Sequence, residues 1–106
     1  MATARNMQSA VINTNASGMT TLVSNPSTTA YMYVWQLFLA AANATYVQFF
    51  DGPGAISGNI GITAGTPINL STGQGISPYF TIAPGSTFVL NDSVGVQKGG
   101  FFHYSN

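Results

Sequence analysis

The chain has 106 residues, enough for one domain whose core closes without staples, and with no cysteine it offers neither a disulfide framework nor a cysteine-based metal site. Only Arg5, Asp51, Asp92 and Lys98 carry formal charge, 4% of residues against about 25% in an ordinary soluble domain, and the net charge is zero. Two basic residues cannot neutralise a run of phosphates, so no nucleic-acid partner is expected.

Residues 1–17 are rich in Ala, Asn, Thr and Ser, with Met7, Val11 and Ile12 as isolated apolar residues. They read as an extended N-terminal arm ahead of a domain over 18–106. They lack the apolar run of roughly 7–15 residues that marks a signal peptide, so synthesis in the cytoplasm is expected. From residue 19 onward, short apolar runs alternate with turn signals at the roughly 8–12-residue spacing of a sandwich or barrel. The expected strands are Met19–Val23, Thr29–Ala40, Thr45–Phe50, Asn59–Thr63, Pro67–Leu70, Tyr79–Ile82, Thr87–Asn91 and Val94–Tyr104. Eight strands fit an all-β, antiparallel two-sheet sandwich of jelly-roll type.

Period-two patterning assigns the inner faces. Val47 and Phe49 flank Gln48, Ile60 and Ile62 flank Gly61, Ile68 and Leu70 flank Asn69, and Phe88 and Leu90 share a parity. The connections "NPS" at 25–27, "DGPG" at 51–54, "TAGT" at 63–66 and "APG" at 83–85 carry turn chemistry. In the last, Pro84 presets φ and Gly85 takes the positive φ of a type II turn.

The run Tyr31–Ala42 is ambiguous, since its alanines favour a helix and Tyr31, Tyr33, Val34, Trp35 and Phe38 favour a strand. We assign a strand. Strict alternation places Tyr31, Tyr33, Trp35, Leu37 and Leu39 on one face and Met32, Val34 and Phe38 on the other. A strand in a two-sheet domain has one core face, so the second must be covered by the arm, a loop or another subunit. The apolar stretch around this run is too short to cross roughly 30 Å of hydrocarbon as a helix, and no membrane partner is expected.

Phosphate-binding and catalytic readings fail on inventory. Gly52, Gly54 and Gly58 are spaced one residue wider than the dinucleotide fingerprint, Pro53 removes an amide, and a strand pattern follows where a helix would be required. An acid pair would have to be Asp51 with Asp92, and each lies beside turn residues that an aspartate ordinarily caps. His103 has no second histidine or cysteine with which to bind a metal, and reads as outward-facing on the last strand. No catalytic residue, metal or cofactor is expected.

From "TTLVSNPSTTAYMYVWQLFLAAANATYVQFFDG" to "GGFFHYSN", the order of strands and glycines resembles small β-sandwich virion proteins of tailed bacteriophages, in particular capsid decoration or cement proteins. The residues that carry the resemblance are Val47, Phe49 and Gly52; Gly65 and Ile68; Tyr79, Phe80 and Gly85; and Val96, Gly99 or Gly100, and Tyr104. The resemblance implies a homotrimer on the outer capsid surface that ties neighbouring major capsid protein subunits together. Arg5, Met7, Tyr31, Tyr33 and Trp35 are then the candidate subunit or capsid contacts. The alternative is a glycan-binding jelly roll or a fibre or tail accessory protein, with Trp35 and the tyrosines stacking on a sugar ring. Exposure separates the two: a sugar site needs aromatics open to solvent near loop tips, whereas a subunit contact places Trp35 mid-strand and covered.

Overall fold

A computed structural model describes residues 7–71 and 78–105. Arg5 therefore lies outside the described residues. Ten strands are formed: β1 (Gln8–Thr14), β2 (Gly18–Ser24), β3 (Met32–Ala41), β4 (Thr45–Asp51), β5 (Gly54–Ala55), β6 (Ile60–Ile62), β7 (Ile68–Ser71), β8 (Phe80–Ile82), β9 (Thr87–Asp92) and β10 (Lys98–Ser105). No helix occurs among the described residues.

The strands make two antiparallel sheets. The first runs β1-β10-β3-β7 with β8 also on β3, and the second runs β2-β9-β4-β5 with β6 also on β4. First pairs with last throughout: β1 with β10, β2 with β9, β3 with β7 and β8, and β4 with β5 and β6. That is one long hairpin rolled into two layers, the wiring of a jelly roll. Every expected strand overlaps an observed one.

The N-terminal arm is corrected in part. Residues Gln8–Thr14 are extended, but they form the edge strand of the first sheet, and Ile12 is 1% exposed in the core. Their strand character comes from a partner at the other end of the chain, with the Tyr104 hydroxyl donating to Gln8 Oε1 across 96 positions. Nothing local in "QSAVINT" announces that pairing.

A second correction concerns the faces of β3. Tyr104 lies opposite Val34 and His103 opposite Gln36, so Trp35 is an extra residue with no counterpart on β10. This β-bulge reverses the parity of the strand. Met32 and Val34 point inward before it; Leu37, Leu39 and Ala41 point inward after it. Leu37 and Leu39 thus belong to the core and not to the face of Tyr31 and Tyr33, while Phe38 is turned outward.

Four rings fasten the sheets together. Phe80 and Phe102 come from the first sheet, Phe49 and Phe88 from the second, with centroids 5.3 Å apart for Phe49–Phe80 and for Phe88–Phe102 and 5.6 Å apart for Phe49–Phe88. Val47, Ile62 and Leu90 are buried beside them, and Ile60, Ile68 and Leu70 pack against that cluster, as the alternation predicts. The Ala83–Ser86 turn is closed by Ser86 N–H donating to Ala83 O at 3.1 Å, with Gly85 at φ 73°. Asn25 anchors the same end: it is 3% exposed, and its amide nitrogen donates to the carbonyls of Ala30, Ile82 and Ala83. Asp51 pairs with Gly54 in register, so "DGPG" closes a hairpin and cradles no phosphate.

Candidate interaction surface

The outer face of the first sheet carries an apolar and aromatic band. Across β1, β10, β3 and β7 the aligned outward residues are Val11, Phe101, Phe38 and Asn69 in one row, and Ser9, His103, Gln36 and Ser71 in the next. Phe38 and Phe101 stack at 5.7 Å with planes 15° apart, and the His103 ring meets Phe101 edge-on at 5.3 Å. Beyond the bulge the band continues through Tyr33, which lies 6.1 Å from the Trp35 ring. Val11 is 79% exposed, Tyr31 49% and Tyr79 44%. Large apolar side chains at such exposure on one sheet face are what an interface offers before its partner arrives.

The second sheet also leaves apolar side chains open to solvent, Met19 at 56% and Tyr46 at 62%, among outward rows of Met19, Asn91 and Gln48, and Thr21, Val89 and Phe50, that mix polar and apolar residues.

Two of the charged residues are placed in the opposite sense. Asp92 and Lys98 are each 1% exposed and form an ion pair between the end of β9 and the start of β10. Asp92 also accepts from the Thr45 hydroxyl and from the backbone N–H groups of Val94 and Val96, each 3.1 Å away; Lys98 donates as well to Val96 O at 2.6 Å. Burial by itself would raise the Asp92 pKa, but the hydrogen bonds from Lys98, Thr45 and Val94 and the Lys98 charge outweigh it and hold it at about 2, below the usual 3.8. The cluster fastens the 92–98 connection and is closed to solvent.

Asp51 is at the far end of β4. Asp92 pairs with Val47 in register and Phe88 with Asp51, so the two carboxylates are four strand steps apart, about 13 Å along the sheet. The acid pair considered from the sequence does not come together. Asp51 accepts from Ala83 N–H at 3.2 Å, so it ties its strand to the Ala83–Ser86 turn 32 positions away and does not cap its own loop as expected. His103 faces outward as expected, and its Nδ1 shares a 2.8 Å hydrogen bond with Ser9 Oγ. Asp51 and Asp92 belong to strands of the other sheet.

Among the candidate contacts, Met7 is 49% exposed, Tyr31 is exposed, Tyr33 is half-buried and Trp35 is 8% exposed, with its indole N–H donating to Ser105 Oγ at 2.9 Å. Trp35 is thus mid-strand and covered within a single chain, beside Tyr33 and Ser105. Sequence reasoning missed Val11, Phe38 and Phe101 as parts of this surface. Phe38 was legible only with the bulge in view, and Val11 only with β1 in the sheet.

A shallow groove of about 330 Å³ lies elsewhere, between Thr45, Tyr46, Gly61, Ile62 and Val94. Tyr46 is 62% exposed, and its ring lies over Gly61.

No family model matches the chain, and no curated protein matches it. Among solved structures it is similar to a protein of the Bacillus endospore appendages, described as a novel family of disulfide-linked pili. The TM-score is 0.55 at 14% identity, over 92% of this chain and 82% of that one. The likeness supports the β-sandwich fold.

Proposed function

We propose that this chain is a structural virion protein, a capsid decoration or cement protein that binds the outer capsid lattice as a homotrimer and bridges major capsid protein subunits. The observation that carries the reading is the inversion just described: aromatics line an outer sheet face while Asp92 and Lys98 are sealed inside. Such a surface meets another protein with little desolvation of charge, and a trimer multiplies weak contacts through effective concentration. The appendage protein is named as a pilus component, which is also an assembly role; its disulfide linkage has no counterpart in these 106 residues, which contain no cysteine. The chemistry of this reading is contact without catalysis, cofactor or metal, performed on the virion after synthesis in the host cytoplasm.

The test is cosedimentation of the purified chain with capsids of the phage that encodes it, stripped of their native decoration. Saturable binding in multiples of three copies, abolished by Tyr31→Ser with Phe101→Ser, is expected. A chain that stays in the supernatant at every concentration would contradict the proposal. One observation favours the glycan-binding alternative, the exposed Tyr46 beside the groove; Trp35 is closed to solvent and supplies no platform for it. Binding on a glycan array that is lost in Tyr46→Ala would select that alternative.

A further inference from the structure

The four lateral edges of the sandwich are not equally protected. On one side the sheets end in β7 and β8 and in β5 and β6, pieces of two to four residues. On the other side, β2 has seven residues but its register with β9 is broken between Thr21 and Val23. Short strands and bulges are the ordinary devices that keep sheet edges from pairing with other chains. β1 has neither. It runs seven residues in unbroken register with β10, contains no proline and no charge, and on its other side pairs with no strand among the described residues.

We infer that β1 is a pairing edge for a second copy of this chain, joined antiparallel across a two-fold axis at Val11. Three observations select a second copy. First, β1 is self-complementary in that register: Val11 meets Val11, Ser9 meets Asn13, Ala10 meets Ile12, and Gln8 meets Thr14. Each pairing couples like polarity, and on the inward side the small Ala10 meets the larger Ile12. Second, no charge on β1 or on its neighbour β10 faces outward, since Lys98 is sealed against Asp92, so two copies meet without repulsion. Third, Val11 begins the outer band, so the join makes the Val11–Phe101–Phe38 rows of both copies continuous.

The contact is narrower than the roughly 800 Å² per partner of a stable interface. It therefore needs copies that are held close or present at high concentration. The inference goes beyond the capsid reading and does not rest on it, because the pairing belongs to the chain alone.

The cysteine-free sequence makes a register test clean. Opposed residues of antiparallel strands have Cα atoms about 4.5–5.5 Å apart, within the reach of a disulfide. Val11→Cys at millimolar concentration under mild oxidation is expected to give a covalent dimer as the main product. An equimolar mixture of Ser9→Cys and Asn13→Cys is expected to cross-link well, and either alone poorly, because like residues then lie about 13 Å apart. Val11→Lys, at a solvent-exposed position, is expected to fold normally, and Val11→Lys built into the Ser9→Cys and Asn13→Cys chains is expected to abolish their cross-linking. Absence of a Val11→Cys dimer, or equal cross-linking by Ser9→Cys alone, would overturn the inference.

Discussion

The 92–98 connection and the outer face of the first sheet are built on opposite rules. In the first, an aspartate and a lysine are taken out of water and satisfied by each other, a hydroxyl and two backbone amides. In the second, valine, phenylalanine and tyrosine side chains are left on the surface. An ion pair inside stabilises little in net terms but makes the loss of one member expensive, whereas apolar groups outside contribute nothing until they are covered. Two of this chain's four charged residues, Asp92 and Lys98, thus fix its internal geometry.

The largest loss of stability is expected at the ion pair. Lys98→Met should leave Asp92 as a buried uncompensated charge and cost about 3–5 kcal/mol, read as a lower urea midpoint with an unchanged slope. Phe102→Ala, in the ring cluster between the sheets, should cost about as much through the cavity it leaves. Gly100→Ala comes next. A Cβ there would sit 1.9 Å from the Phe38 carbonyl oxygen, backbone that cannot swing aside, so β10 must move off β3 at a cost of about 1–3 kcal/mol or more.

Acid sharpens the contrast. Because the Asp92 pKa is held at about 2 against 3.8 when unfolded, its contribution is complete above about pH 4 and is lost as pH falls through about 2. About 2 kcal/mol of stability should disappear across that window, measured by urea unfolding at several pH values. On the outer face, Tyr31→Ser should change stability by less than about 0.5 kcal/mol while weakening self-association.

Legibility in the sequence followed the range of the interactions. Val47 with Phe49 and Phe88 with Leu90 announce their inward faces because alternation is local, and Pro84–Gly85 announces its turn because two residues suffice. The faces of β3 were half legible: both being apolar was plain, but the bulge at Trp35 depends on how β10 docks, and period-two reading runs straight through it. β1 was illegible as a sheet strand because its partner is at the other end of the chain. The Asp92–Lys98 pair is six positions apart, but its burial joins the end of β9 in one sheet to the start of β10 in the other and is not a local property of the sequence. Of the candidate surface, Tyr31 and Tyr33 were readable from their strand, whereas Val11 and Phe101 join them only through pairing.

The proposed function requires assembly through the aromatic outer face of the first sheet. Absolute mass by light scattering across a chromatographic peak, followed over a dilution series, tests it most directly. A species of three 11.1 kDa chains that persists on dilution and falls apart in Tyr31→Ser with Phe101→Ser is expected. A well-behaved monomer at every concentration would contradict it.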